Sequence, residues 1–178
     1  MNKTANKTMR IIGIDPGYAI VGYGVVDYTG NRFSVVEYGV VTTEAGMPFD
    51  QRLARIYDDL DVIFQRFAPQ HMSLEKLFFT TNQKTAIDVA QARGVIQLCA
   101  IKNATTIAEY TPLQVKQSVV GYGKAEKKQV QIMTKTLLNL ESIPKPDDAA
   151  DALALAICHA HSAYSGMSGL AKLLQQKR

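Results

Sequence analysis

Residues 10–14 form a short apolar run that ends in Asp15-Pro16-Gly17, the pattern of a buried strand closed by a turn. Residues 21–26 and 33–42 are rich in Val, Tyr and Thr, and Thr29-Gly30-Asn31 between them reads as a turn. These three segments predict an antiparallel meander. Over residues 49–67 the apolar side chains fall at Leu53, Ile56, Tyr57, Leu60, Ile63, Phe64 and Phe67, the spacing of an amphipathic helix, and Pro69 marks its end. Residues 71–77 predict a fourth strand and residues 105–110 a fifth. Between them, residues 85–101 predict a helix carrying Ala86, Ala90, Ala92 and Gly94. Helices are expected over 112–119, 127–139 and 147–163, with Gly121-Tyr122-Gly123 as a loop between the first two. The order βββαβαβααα predicts an α/β fold with a five-stranded mixed sheet flanked by helices.

A single domain over residues 9–163 accounts for this pattern. Residues 1–8 read as a polar arm without the apolar core of a secretory signal, and residues 164–178 as a tail with too little apolar periodicity to place. At 178 residues, 47% hydrophobic and 20% charged, the composition is that of an ordinary soluble domain. The longest apolar stretch, residues 152–158, is far below the roughly 18 residues of a membrane span. Cys99 and Cys158 form no metal-binding spacing and fall in apolar helical patterns, so they read as buried free thiols suited to a reducing cytoplasm.

The net charge of +4 says less than its distribution. Residues 112–138 hold Lys116, Lys124, Lys127, Lys128 and Lys135 against a single acid, Glu126. Such a cluster is either a solvated lysine face or the footprint of a phosphate backbone.

Acids are the more telling anomaly. Asp148 and Asp151 lie three residues apart on a helix that is otherwise almost wholly apolar, and like charges so placed repel unless a cation lies between them. Asp15 and Glu75, each near a strand end, would complete an all-oxygen site of the kind magnesium prefers. Two such ions would allow hydrolysis of a phosphodiester. Each acid also has a plainer role: Asp15 opening a turn, Glu75 as an exposed edge charge, and Asp147 or Asp148 capping the last helix. Asp151, beyond the first turn and flanked by apolar residues, fits those roles least well. Phe78 and Phe79 follow the Glu75 strand, and because adjacent strand residues face opposite ways, one reads as a core residue and the other as able to stack on an unpaired base. His71, His159 and His161 lack metal-site spacing and read as surface or helix-end residues. Gly22 and Gly24 form no nucleotide-binding loop.

With these residues assembled, the chain resembles the RuvC family of Holliday-junction resolvases. The resemblance rests on the segments beginning at Gly13 (Gly-Ile-Asp-Pro-Gly), Gly22 (Gly-Tyr-Gly), Leu74 (Leu-Glu-Lys-Leu-Phe), Gln91 (Gln-Ala-Arg-Gly), Gln114 (Gln-Val-Lys-Gln-Ser-Val-Val-Gly), Ala125 (Ala-Glu-Lys) and Asp148 (Asp-Ala-Ala-Asp-Ala-Leu-Ala). It implies a ribonuclease-H-like fold and a homodimer that cuts two opposed strands of a four-way DNA junction. The implied cofactor is Mg2+, two ions per active site, with Mn2+ as a substitute, and a branch-migration helicase complex is an implied partner. Asp15, Glu75, Asp148 and Asp151 match the family's metal-binding acids, Asp148 being selected over Asp147. Lys116 and Lys127 match basic residues near the scissile phosphate, Lys124 and Lys128 extend the DNA-binding surface, and Phe78 matches the aromatic set against junction bases. Val21, Lys76 and the N-terminal arm depart from the family pattern without touching a metal ligand.

Three alternatives compete with this reading. A related nuclease processing structured RNA would keep the fold. An actin-like ATPase would need a second comparable domain, and a non-catalytic junction binder would not need four converging acids.

Overall fold

The computed structural model describes residues 8–76 and 83–176. The chain runs β1 (Met9–Asp15), β2 (Ile20–Thr29), β3 (Arg32–Thr42), α1 (Phe49–Phe67), β4 (His71–Glu75), α2 (Gln83–Lys102), β5 (Thr106–Tyr110), α3 (Pro112–Val120), α4 (Lys127–Leu137) and α5 (Asp147–Gln176). The sheet order is β3-β2-β1-β4-β5. The meander β1–β2–β3 is antiparallel, whereas β1–β4 and β4–β5 are parallel. Parallel neighbours require crossovers, and α1 and α2 supply them.

Strand alternation sends successive side chains to two separate cores. Ile12, Ile14, Met72 and Leu74 face one side, where they meet Ile56, Leu60 and Phe64 of α1 and Ala92, Ile96 and Cys99 of α2. Ile11, Val26 and Tyr28 face the other, where they meet residues 153–158 of α5 together with Val115 of α3 and Val130 of α4. The sheet is therefore covered on both faces, and its strands read as near-continuous apolar runs for that reason.

The last helix continues to Gln176, beyond the expected end at 163. Residues 147–176 contain no proline, so nothing in the covalent backbone stops the helix where its apolar periodicity ends. Cys99 and Cys158 are buried free thiols, as expected. Among the described residues, no helix is long and apolar enough to cross a membrane.

Candidate active site

Asp15 and Glu75 close neighbouring parallel strands, since Ile14 of β1 pairs with Leu74 of β4 immediately before them. Alternation puts both on the α5 face, because Ser73, two residues before Glu75, donates its Oγ–H to the Leu155 carbonyl of α5 at 2.7 Å. That buried bond ties α5 to β4 one turn beyond Asp151.

The helix also lies unusually close to β1 and β2. A β-carbon on Gly13 would stand 1.9 Å from the Ala152 carbonyl oxygen, and one on Gly22 would stand 2.1 Å from that of Asp148. Gly22 is the cross-strand partner of Asp15, so the same contact that seats Asp148 on β2 brings it beside Asp15. Gly22 and Gly24 are thus packing positions for α5, and the signal in the sequence was glycine inside a strand pattern, which marks close backbone approach.

Electrostatics record the convergence. Burial, followed by the Asp151, Glu75 and Asp148 carboxylates, pushes the Asp15 carboxyl up to about 7, with Lys127 offsetting part of the effect. Burial and then Asp151 also raise Glu75. Burial raises Asp151 despite the opposing hydrogen bond and charge of Lys127.

Lys127 opens α4, where the positive end of the helix dipole disfavours a cation. Its ammonium is compensated by Asp151 at 2.9 Å and Asp147 at 3.3 Å. Burial pulls the Lys127 pKa down, but the hydrogen bonds and charges of these two acids outweigh it and raise the pKa. Asp147, expected only as an alternative helix cap, therefore has a second role as an anchor for Lys127. The helix start is fixed by a reciprocal pair in which the Glu126 side chain accepts from the Gln129 backbone and the Glu126 N–H donates to Gln129 Oε1 at 2.8 Å.

Glu75, Asp151, Lys116 and Lys127 line one cavity of about 180 Å³, walled by Pro112, Val115, Val130, Ala154 and Leu155. Lys124 and Lys128 are exposed and are not among its lining residues. Phe78 and Phe79 lie outside the described residues. His159 corrects the surface expectation: it is only 6% exposed, with its Nδ1 2.8 Å from the Tyr110 hydroxyl and its ring stacked on His71. Its position on the stripe Asp151–Leu155–His159 at i+4 spacing turns it toward the sheet.

Asp15, Glu75, Asp148 and Asp151 offer only carboxylate oxygens, a hard donor set suited to a divalent cation. Mutual repulsion within such a set is what a cation would relieve, and after burial it is what raises the Asp15 carboxyl. Among the described residues, no three His, Cys, Asp or Glu side chains are already gathered in a ligating arrangement, and Asp151 is instead turned to the Lys127 ammonium. The donors fit such an ion chemically, and in this structure Lys127 is the cation paired with Asp151.

Comparison with known proteins identifies the family. The family model described as crossover junction endodeoxyribonuclease RuvC matches residues 11–159. The chain belongs to the RuvC family. A protein of that name from Ruminiclostridium cellulolyticum is 58% identical over 158 residues, covering 89% of this chain and 95% of the relative. One from Alkaliphilus oremlandii is 58% identical over 154 residues, covering 86% and 94%. Among solved structures, Thermus thermophilus RuvC in complex with Holliday junction substrate has a TM-score of 0.85 and 34% identity, covering 89% of this chain and 96% of that one. The five-stranded mixed sheet with its flanking helices is the ribonuclease-H-like fold of the family. The matched relatives bear the name of DNA endonucleases, so the RNA-processing alternative falls away.

Proposed function

We propose that the chain is a metal-dependent endonuclease that resolves four-way (Holliday) DNA junctions by paired, symmetric phosphodiester cleavage. The observation that carries this reading is the meeting of acids and lysines at one end of the sheet. Glu75, Asp151, Lys116 and Lys127 share a cavity, and Asp15 is electrostatically joined to Asp151, Glu75 and Asp148.

Metal dependence belongs to the family. Our reading is that the ion is Mg2+, that Mn2+ substitutes, and that Asp15, Glu75, Asp148 and Asp151 hold two ions. Such ions, when bound, polarise the phosphodiester and lower the pKa of attacking water. The two acids from strand ends and two from a packed helix make the ligand set rigid, because the sheet hydrogen bonds and the Gly22 contact fix their backbones. Lys127 and Lys116 present ammonium groups to a phosphate entering the cavity, while Lys124 and Lys128 extend the positive surface along the DNA. The cavity walls Val115, Val130 and Leu155 limit water around that phosphate.

A homodimer with two active sites supplies the paired cuts. Its support is an apolar stripe on α2, where Ile87, Leu98 and Ile101 are exposed and Gly94 opens onto free space. The spacing 87, 94, 98, 101 places them on one face, as a helix pairing with a second copy requires. The free buried thiols favour a cytoplasmic setting. Delivery of junctions by a branch-migration helicase complex rests on the family resemblance alone.

The test is incubation of the full chain with a four-way junction, a linear duplex and a structured RNA, each with magnesium or with a chelator. Cutting of the junction only, at symmetric positions and only with metal, is expected. Equal cutting of duplex or RNA, or undiminished cutting in chelator, would overturn the reading.

A further inference from the structure

The segment Gln91-Ala92-Arg93-Gly94 has no part in the acid or lysine constellation, yet Arg93 reaches the catalytic strand. Its side chain is only 13% exposed. Its Nη2 forms an ion pair with Glu109 of β5, and its Nε donates to the Glu75 carbonyl at 3.4 Å, the long end of hydrogen bonding. Gln97, one turn further along α2, donates to the same Glu109 Oε1 at 3.1 Å. Glu109 is thereby held from two positions on α2, and it in turn orients the guanidinium. Beyond Glu75 the sheet is joined by one further rung, from Lys76 N–H to the Tyr110 carbonyl at 2.8 Å.

We propose that Arg93 is a positioning residue for cleavage: it clamps the C-terminal end of β4 to α2 and β5, so that the location of α2 sets the location of the Glu75 carboxylate. The inference rests on Glu75 being one of the metal-holding acids. Arg93 points to the Glu75 carbonyl and to Glu109. It acts through the Glu75 backbone, with its charge taken up by Glu109. A guanidinium suits this work because Nε and Nη2 are separate donor atoms held apart in one rigid plane, whereas an ammonium offers all its donors from a single atom.

The deciding variant is Arg93→Lys, which retains the charge facing Glu109 but not the fork. Single-turnover cleavage of a four-way junction, junction affinity and thermal unfolding are measured on the full-length protein. The expected result is a cleavage rate lowered by tenfold to on the order of a hundredfold, with junction affinity and melting temperature unchanged. Arg93→Gln combined with Glu109→Gln should be equally slow, because position rather than charge is lost. A wild-type rate in Arg93→Lys, a loss of junction affinity in place of rate, or recovery of rate in the double variant would overturn the proposal. Failure of the unmodified protein to cut junctions would instead sink the functional reading on which it rests.

Discussion

Gly22 lies directly against the backbone of Asp148: a β-carbon at Gly22 would stand 2.1 Å from the Asp148 carbonyl oxygen. The obstacle is helix backbone, which cannot rotate aside as a side chain would. Gly22→Ala must therefore lift the start of α5 from β2 and carry Asp148 and Asp151 away from Asp15. We expect a loss of stability of about 1–3 kcal/mol and a fall in cleavage on the order of a hundredfold. Urea unfolding and single-turnover cleavage measure the two effects. Wild-type cleavage in the alanine variant would show that the contact does not position the acids.

The same contact shows what was legible beforehand. The strands followed from short apolar and β-rich runs, because the sheet is covered on both faces, and α1 followed from helical spacing, because it faces one core. The four acids were legible because charge on an apolar helix and at strand ends needs a partner. Gly22 carried the signal of a glycine within a strand but not the identity of its partner, and Ser73 and Arg93 carried none, since Asp148, Leu155 and Glu109 are brought to them only on folding. The burial of His159 was missed for a related reason: a histidine on an apolar helix does not reveal which neighbour, here Tyr110, takes its ring nitrogen.

Asp151→Asn removes one carboxylate while keeping its volume. The Lys127 ammonium loses its 2.9 Å partner and keeps the weaker contact with Asp147. Cleavage should be abolished and junction binding largely retained, because the lysines remain and a negative charge facing the phosphate is gone. Gel-shift and cleavage measurements on the same preparation separate these outcomes. Normal nicking in magnesium would remove Asp151 from the catalytic set.

Lys116 and Lys127 approach the cavity from α3 and α4. If each meets a phosphate, Lys116→Ala and Lys127→Ala should slow cleavage and lower the slope of log affinity against log salt by about 1 apiece. Lys127→Ala carries a further consequence, since it leaves Asp151 and Asp147 without their cation. Junction affinity measured across a salt series tests both. An unchanged slope would leave the pair as surface charge without a phosphate role.

The exposed stripe on α2 makes the proposed dimer testable through Leu98 and Ile101, which are 55% and 61% exposed. Exposed leucine contributes nothing to the monomer's core, so Leu98→Glu should leave the fold intact and break a subunit contact by burying charge. Ultracentrifugation should give a dimer for the unmodified chain and a monomer for the variant. Paired cutting of one junction should then give way to single nicks. A monomeric unmodified protein would overturn the assignment of α2.

Asp15 and His159 make the metal-free protein respond to acid in opposite senses. The Asp15 carboxyl is raised from 3.8 to about 7, by burial first and then by its acidic neighbours, so the folded state binds the proton more tightly. Its contribution favours folding below pH 4 and is lost as the pH rises toward 7. His159 is lowered from 6.5 to about 4, by burial and then by His71, so the unfolded state binds that proton more tightly. Its contribution is present above pH 6.5 and is lost as the pH falls toward 4. The shifts correspond to roughly 4 kcal/mol for Asp15 and roughly 3 kcal/mol for His159, and the two partly cancel in the unmodified protein. In chelator, Asp15→Asn should therefore raise stability at pH 8 relative to the unmodified chain, leaving a profile that falls steeply toward pH 4. His159→Phe should leave the reverse profile, more stable at pH 5 than at pH 8. Urea unfolding at pH 4.5, 6 and 8 distinguishes them, and parallel profiles for the two variants would mean that neither group titrates as its surroundings dictate.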